Sequence, residues 1–246
     1  DGKAWYIGTR PVPEGPRYNG NWEAWAQPFD KEKLCLYGES VSLWRGALRE
    51  CIWPEGPHLY RIGDWYYLMI AEGGTGPDHA VSIARSKSIQ GPWVGKPSNP
   101  ILTHRHMGQA APIVNVGHGD LVDDLEGNWW MVCLASRPRR GLKPGSRAVS
   151  NMGRETYMVP VIWEDEWPLA SSQTGRIEET YSGPALDRAA AQEARGESTV
   201  EHFDTPSMPH NFLFLRTPVE GSWSIETSSQ SLRLSCQGAD LSSKEP

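Results

Sequence analysis

The chain has 246 residues, a formal charge of −6, and 25 Gly and 20 Pro. That length holds one large domain or two smaller ones, and without a dense basic face the charge argues against nucleic-acid and anionic-membrane partners. No apolar stretch reaches transmembrane length and none reads as a signal peptide, so localisation stays open between export and the cytoplasm, while an initial Asp in place of Met suggests an upstream segment.

In chain order the strand-like runs are Ala4–Thr9, Trp22–Gln27, His58–Ile62, Trp65–Ala71, Ala80–Arg85, Asp120–Val122, Trp129–Ala135 and Thr156–Trp163. Three aromatic runs follow a polar turn: Asp1-Gly2-Lys3, Gly63-Asp64 and Gly127-Asn128, each a hairpin signal. Their markers Tyr6, Tyr67 and Trp130 stand 61 and 63 residues apart. A steady period built from hairpins predicts radial repetition, as in a β-propeller, whose blades usually run roughly 40–50 residues. The Pro/Gly-rich stretches supply the extra loop length. Aromatic hairpins also occur in any all-β protein, and the regular spacing is what favours the propeller.

Just ahead of the second aromatic hairpin, Glu55 sits in a bend whose Pro54, Gly56 and Pro57 constrain the backbone on both sides. A carboxylate fixed in this way at the mouth of a strand is a candidate general acid. Eleven of the 12 Trp precede residue 170, and most read as core. Trp22, Trp25 and Trp53 lie near loop mouths and are candidates for a flat apolar platform under a sugar ring. The spacing of Cys35, Cys51, Cys133 and Cys236 fits neither a zinc site nor a redox pair. Cys35 and Cys51 could bridge in an exported protein, and Cys133 reads as a small buried hydrophobe.

Residues 181–200 turn to Ala, Arg, Glu and Gly and read as a linker or short helix. From 201 to 246, NFLFLRTP, GSWSIE and SLRLSC resemble the first strands of a β-sandwich, with fewer strands than the roughly seven such a domain needs.

The runs WPEGPHLYRIGDWYYLMIAEGGTG, HAVSIARSKSIQGPW, NPILTHRHMG, VGHGDLV and MGRETYMVPVIWEDEWPL together resemble glycoside hydrolase family 43. The likeness is to the β-xylosidase and α-L-arabinofuranosidase group with a C-terminal lectin-like sandwich, and it spans nearly all of residues 1–180. It implies an all-β chain: a partial five-bladed propeller of about three blades over 1–180, a linker over 181–200, and the start of a concanavalin-A-like sandwich over 201–246. It also implies an inverting glycosidase acting on xylose- or arabinose-containing hemicellulose oligosaccharides, with Glu55 as general acid. The family's base Asp and its pKa-tuning Asp would fall upstream of Asp1. The resemblance therefore leads us to expect an incomplete chain, inactive alone, with a non-catalytic carbohydrate-binding fragment as the alternative.

The resemblance places His118 on an axial His that contacts sugar or holds a structural Ca2+ through water, and Arg154 on an Arg that bonds substrate hydroxyls. No cofactor is required. The plainer readings are a backbone-satisfied buried His118 and an Arg154 paired with Glu155 or Glu164. Trp53 joins these residues as a substrate contact. Glu72 reads first as a cap of the Gly73-Gly74 turn and only then as a second carboxylate, Asp120 as the group that orients His118 or its neighbouring backbone, and Arg10 and Glu23 as solvated loop charges or a pocket rim. His104 and His106 would point to opposite faces of an extended strand, which makes no metal pair.

Overall fold

The computed structural model describes residues 3–140, 148–150, 152–184, 200–214 and 217–236. The Asp1-Gly2 part of the first turn signal and the Ala/Arg/Glu run of the linker lie outside them. Every regular element among the described residues is a strand, and no helix there is long and apolar enough to cross a membrane. The chain separates into two compact units, residues 1–187 and 188–246.

Three antiparallel sheets follow one another in the first unit. The first holds β1 (Ala4–Pro11), β2 (Trp22–Asp30), β3 (Cys35–Leu36) and β4 (Val41–Trp44), with β3 and β4 both on the far side of β2. The second runs β5 (Glu55–Ile62), β6 (Trp65–Glu72), β7 (Ala80–Ser86) and β8 (Val94–Gly95), with β9 (Leu102–Thr103) also on β7. The third begins with β10 (Val114–Asp123) and β11 (Trp129–Ser136). A small ribbon of β12 (Arg139–Arg140) and β13 (Ala148–Val149) interrupts it before β14 (Glu155–Glu164) and β15 (Trp167–Ala170) complete the order. All eight expected strands are present, and each extends by one or more residues beyond its predicted bounds. The short edge strands were not anticipated, because two to four residues carry no readable alternation.

The hairpin turns behave as their sequences dictate. Gly63 takes φ +57° between the paired Ile62 and Trp65, the first central position of a two-residue turn. The middle sheet is buried on both faces. Tyr67 and Met69 of β6 pack with Val81 and Ile83 against Met131, Val159 and Val161 of the third sheet. The alternate residues Leu68 and Ile70 pack against Ala24, Ala26 and Leu43 of the first. Period-two alternation thus serves two cores from one strand. An outer clasp joins the second and third sheets: the Arg85 guanidinium lies 4.4 Å from the Trp65 ring and 4.2 Å from the Trp167 ring, while Tyr67 Oη donates to the Glu166 carbonyl at 2.6 Å.

In the second unit, GSWSIE and SLRLSC form a hairpin of β16 (Trp223–Glu226) and β17 (Ser231–Leu234). The described part of NFLFLRTP is not a strand, and its residues 215 and 216 lie outside the described set.

Candidate active site

Glu55 opens β5 opposite Ala71 and is half-buried. The pairing slips between Glu55 and His58, so the Gly56-Pro57 step is a bulge at the edge of the sheet. Pro57 has no N–H to offer a neighbour, which an edge strand tolerates. Bulges re-aim side chains, and this one holds Gly56 at φ +54°. Trp53 is also left-handed, at φ +47°, an uncommon state for a bulky residue. Its N–H donates to the Gly20 carbonyl at 2.7 Å. A Cβ on Gly20 or Gly74 would stand 3.0 or 2.6 Å from the indole, so these two backbones approach its ring closely. Trp53 is therefore held by its neighbours as well as half-exposed, and only part of its face is open to a ligand.

The partner of this turn is His118 on β10. A Cβ on Gly56 would lie 2.5 Å from His118 Nε2, so the imidazole rests directly on the Gly56 backbone. His118 is itself at φ +54°, within the second of two register shifts of β10. Burial and then His58 depress its pKa, Glu55 pulls it upward, Arg154 pushes it down and Asp120 raises it. Four ionisable groups, from β5, β10 and the residue just before β14, thus act on this ring.

The cluster differs from expectation in its internal bonding. Asp120 orients His58, not His118: its Oδ1 is 3.3 Å from His58 Nδ1 and accepts from Tyr60 Oη at 2.5 Å. Tyr60 Oη also accepts the Leu121 N–H at 3.0 Å, tying β5 to β10. Burial and the Asp120 bond push the Tyr60 phenol well above its ordinary range, so it remains a donor. The histidines satisfied by backbone are His79, with Nδ1 3.0 Å from the Asn115 carbonyl, and His104. Arg154 pairs with neither Glu155 nor Glu164. Arg137 takes Glu155, and the exposed Arg154 donates to Thr75 Oγ1 at 3.2 Å. Thr75, His58 and Tyr60 were not singled out by sequence. His58 lies inside the EGPH run, but nothing in that run reveals a partner 62 positions away.

Other expected roles change with burial. Glu72 does not cap the glycine turn: it is 1% exposed and accepts the Ala47 N–H at 3.1 Å and the Cys51 thiol at 3.3 Å. Glu23 is a fully buried carboxylate, held by Arg10 at 3.0 Å, Ser42 at 2.8 Å and Arg45 at 3.1 Å, not a solvated loop charge. Trp25 lies under Arg10 and against Tyr6, so it offers no open platform. His106 is exposed and His104 buried, but around a turn rather than along a strand. Cys35 and Cys51 are free thiols, one exposed and one buried, and no bridge joins them. Cys133 is buried as expected, its thiol pushed up to about 12.

Calcium takes about 6–8 oxygen ligands. Among the described residues no three of His, Cys, Asp and Glu converge on one point, and Asp120 is already engaged by His58 and Tyr60. The described residues around His118 thus offer no direct cage for that ion, and a water-mediated contact of His118 stays as what the resemblance implies. A cavity of about 530 Å³ lies elsewhere, between Trp130, Tyr157, Arg137 and residues 177–183, and neither Glu55, His118 nor Arg154 lines it.

The family model described as glycosyl hydrolases family 43 matches residues 1–168. A xylosidase/arabinosidase of Butyrivibrio fibrisolvens is 52% identical over 177 residues, covering 72% of this chain and 33% of that protein. A non-reducing end α-L-arabinofuranosidase of Bacteroides ovatus is 40% identical over 182 residues, covering 74% and 32%. Among solved structures, a xylan β-1,4-xylosidase from Bacillus halodurans C-125 superposes with a TM-score of 0.73 at 28% identity, over 95% of this chain and 43% of that one. The chain spans about a third of the length of these curated relatives. With the family match running through all three sheets, the chain belongs to glycosyl hydrolases family 43.

Proposed function

We propose that this chain supplies the acid-bearing part of an inverting glycosidase that removes xylose or arabinose from hemicellulose oligosaccharides. Its three sheets would be three blades of a five-bladed propeller, and the β16–β17 hairpin the start of a lectin-like sandwich. The observation that carries this reading is the Glu55 turn: a half-buried carboxylate on a bulged edge strand, pressed against His118 through Gly56.

In a single displacement, Glu55 gives its proton to the departing glycosidic oxygen while water attacks the anomeric carbon from the opposite face. Acid and base then stand about 6.5–9.5 Å apart, which leaves room for that water. Neither nearby carboxylate is suited to be the base. Asp120 is engaged by His58 and Tyr60, and Glu72 is buried beside Arg105. The base is therefore assigned to no described residue. Arg154, without a carboxylate partner among the described residues, presents planar donors to sugar hydroxyls. His118 supplies a ring nitrogen, and Trp53 the open part of its indole.

The test is hydrolysis of xylobiose and of aryl pentosides by the whole enzyme of which this chain is proposed to be the acid-bearing part, and by its Glu55→Gln variant, with binding measured in parallel by calorimetry. Loss of the acid should reduce turnover by about 10²–10⁴-fold on a poor leaving group and leave binding largely intact. Equal turnover in both proteins would remove Glu55 from the role. Binding without hydrolysis in the unaltered protein would instead favour a carbohydrate-binding function for the same cluster.

A further inference from the structure

The loop that leads into Glu55 is tied to one buried side chain. Residues 45–54 have no ladder pairing, yet they include Trp53 and lead directly into Glu55. Glu72 Oε2, at the end of β6, accepts both the Ala47 N–H at 3.1 Å and the Cys51 thiol at 3.3 Å. Its Oε1 makes no hydrogen bond and faces Arg105 Nη2 at 3.7 Å. Backbone ties complete the loop: Gly73 N–H to the Ile52 carbonyl at 2.9 Å and Trp53 N–H to that of Gly20 at 2.7 Å. A Cβ on Gly46 would overlap Cys51 Sγ, so the chain can turn here only around a glycine.

A buried carboxylate is costly unless paired, and simple core packing would be served by an apolar side chain. What the carboxylate adds is one oxygen able to take two donors from separate points of the loop, residues 47 and 51. We propose that Glu72 is the positioning residue of the Glu55 turn, fixing residues 47 and 51 and through them Trp53 and Glu55, while Arg105 balances its charge. The significance of the turn rests on the reading of Glu55 as the acid. The anchoring itself does not.

The experiment uses the full chain in a Cys35→Ser/Cys236→Ser background, which leaves the two buried thiols. Glu72→Leu/Arg105→Met removes the pair without stranding one buried charge. Loss of the Glu72 carboxylate by itself raises the Cys51 thiolate fraction, which the pH dependence of the rate reports. After correction for that fraction, modification of Cys51 by a thiol reagent should accelerate at least about tenfold, as expected of a locally released loop, with Cys133 unchanged as the reference for global opening. In 5-fluorotryptophan-labelled protein the ¹⁹F resonance of Trp53 should shift or broaden while that of Trp129 stays in place. A corrected Cys51 rate that does not change, a Cys133 rate that rises with it, or a stationary Trp53 resonance would each overturn the proposal. Should the double variant fail to fold, Cys51→Ala removes one of the two donors alone. A shifted Trp53 resonance then supports the proposal and an unmoved one overturns it. Neither readout involves sugar, so titration of xylobiose into the unaltered chain tests the role of Glu55 separately.

Discussion

Glycine at position 56 has two reasons to be there, and they can be separated. Its φ of +54° strains any side chain, and a Cβ would also press on the His118 ring at 2.5 Å. Gly63 has the same kind of angle, +57°, but open space around it. Gly56→Ala and Gly63→Ala should therefore each lower stability by about 1–2 kcal/mol from the left-handed backbone alone, while only Gly56→Ala also weakens pentoside binding. Chemical denaturation and calorimetry read the two effects. Equal binding in both variants would show that the contact between Gly56 and His118 does not shape the site. At this scale Glu55 was readable, because Pro54, Gly56 and Pro57 announce a constrained turn. The links of His58 and Tyr60 to Asp120, and of Arg154 to Thr75, were not, since each joins residues 60 or more positions apart.

At the scale of elements, His104 is a clasp between three segments. Its Nε2 accepts the Ile177 N–H at 2.9 Å, so Nδ1 carries the proton and donates to the Ile113 carbonyl at 2.9 Å. Only the neutral ring can make both bonds. Burial, with Arg176 nearby, lowers the pKa of His104 below its ordinary 6.5. Unfolding then takes up a proton once the pH is below the unfolded value, so stability is full above about pH 6.5 and falls as pH drops. His79 shifts in the same direction through burial. The urea midpoint should decline between pH 7 and pH 5, and decline less in His104→Gln, which has no proton to gain. An identical decline would assign the effect to other groups. The existence of the longer strands was legible, though each runs past its expected bounds, β10 most of all. The bulge after Glu55 and the two slips in β10 were not, because register is decided between strands rather than within one.

For the first unit as a whole, the decisive feature is β6, whose two faces belong to different cores. Leu68→Ala should open a void toward the first sheet and Met69→Ala one toward the third, each at a cost of about 2–5 kcal/mol. Both residues are fully buried. If the three sheets fold together, either variant should lower the denaturation midpoint seen by every probe. Separate transitions in the two variants would show that the sheets open one at a time. The apolar run Trp65–Ala71 hints at a strand buried twice over, yet which neighbour covers which face is settled only by how the sheets stack.

The sequence by itself determined the all-β class, the hairpins, the constrained turn around Glu55 and the family, because each of these depends on local backbone preference or on contiguous motifs. Tertiary structure alone decided that Asp120 serves His58 and Tyr60, that Glu72 and Glu23 are interior anchors, and that Arg154 is left without a carboxylate partner among the described residues. A charged side chain looks the same in a sequence whether it faces water or a buried donor. The difference comes from desolvation and from partners that folding brings together across sheets.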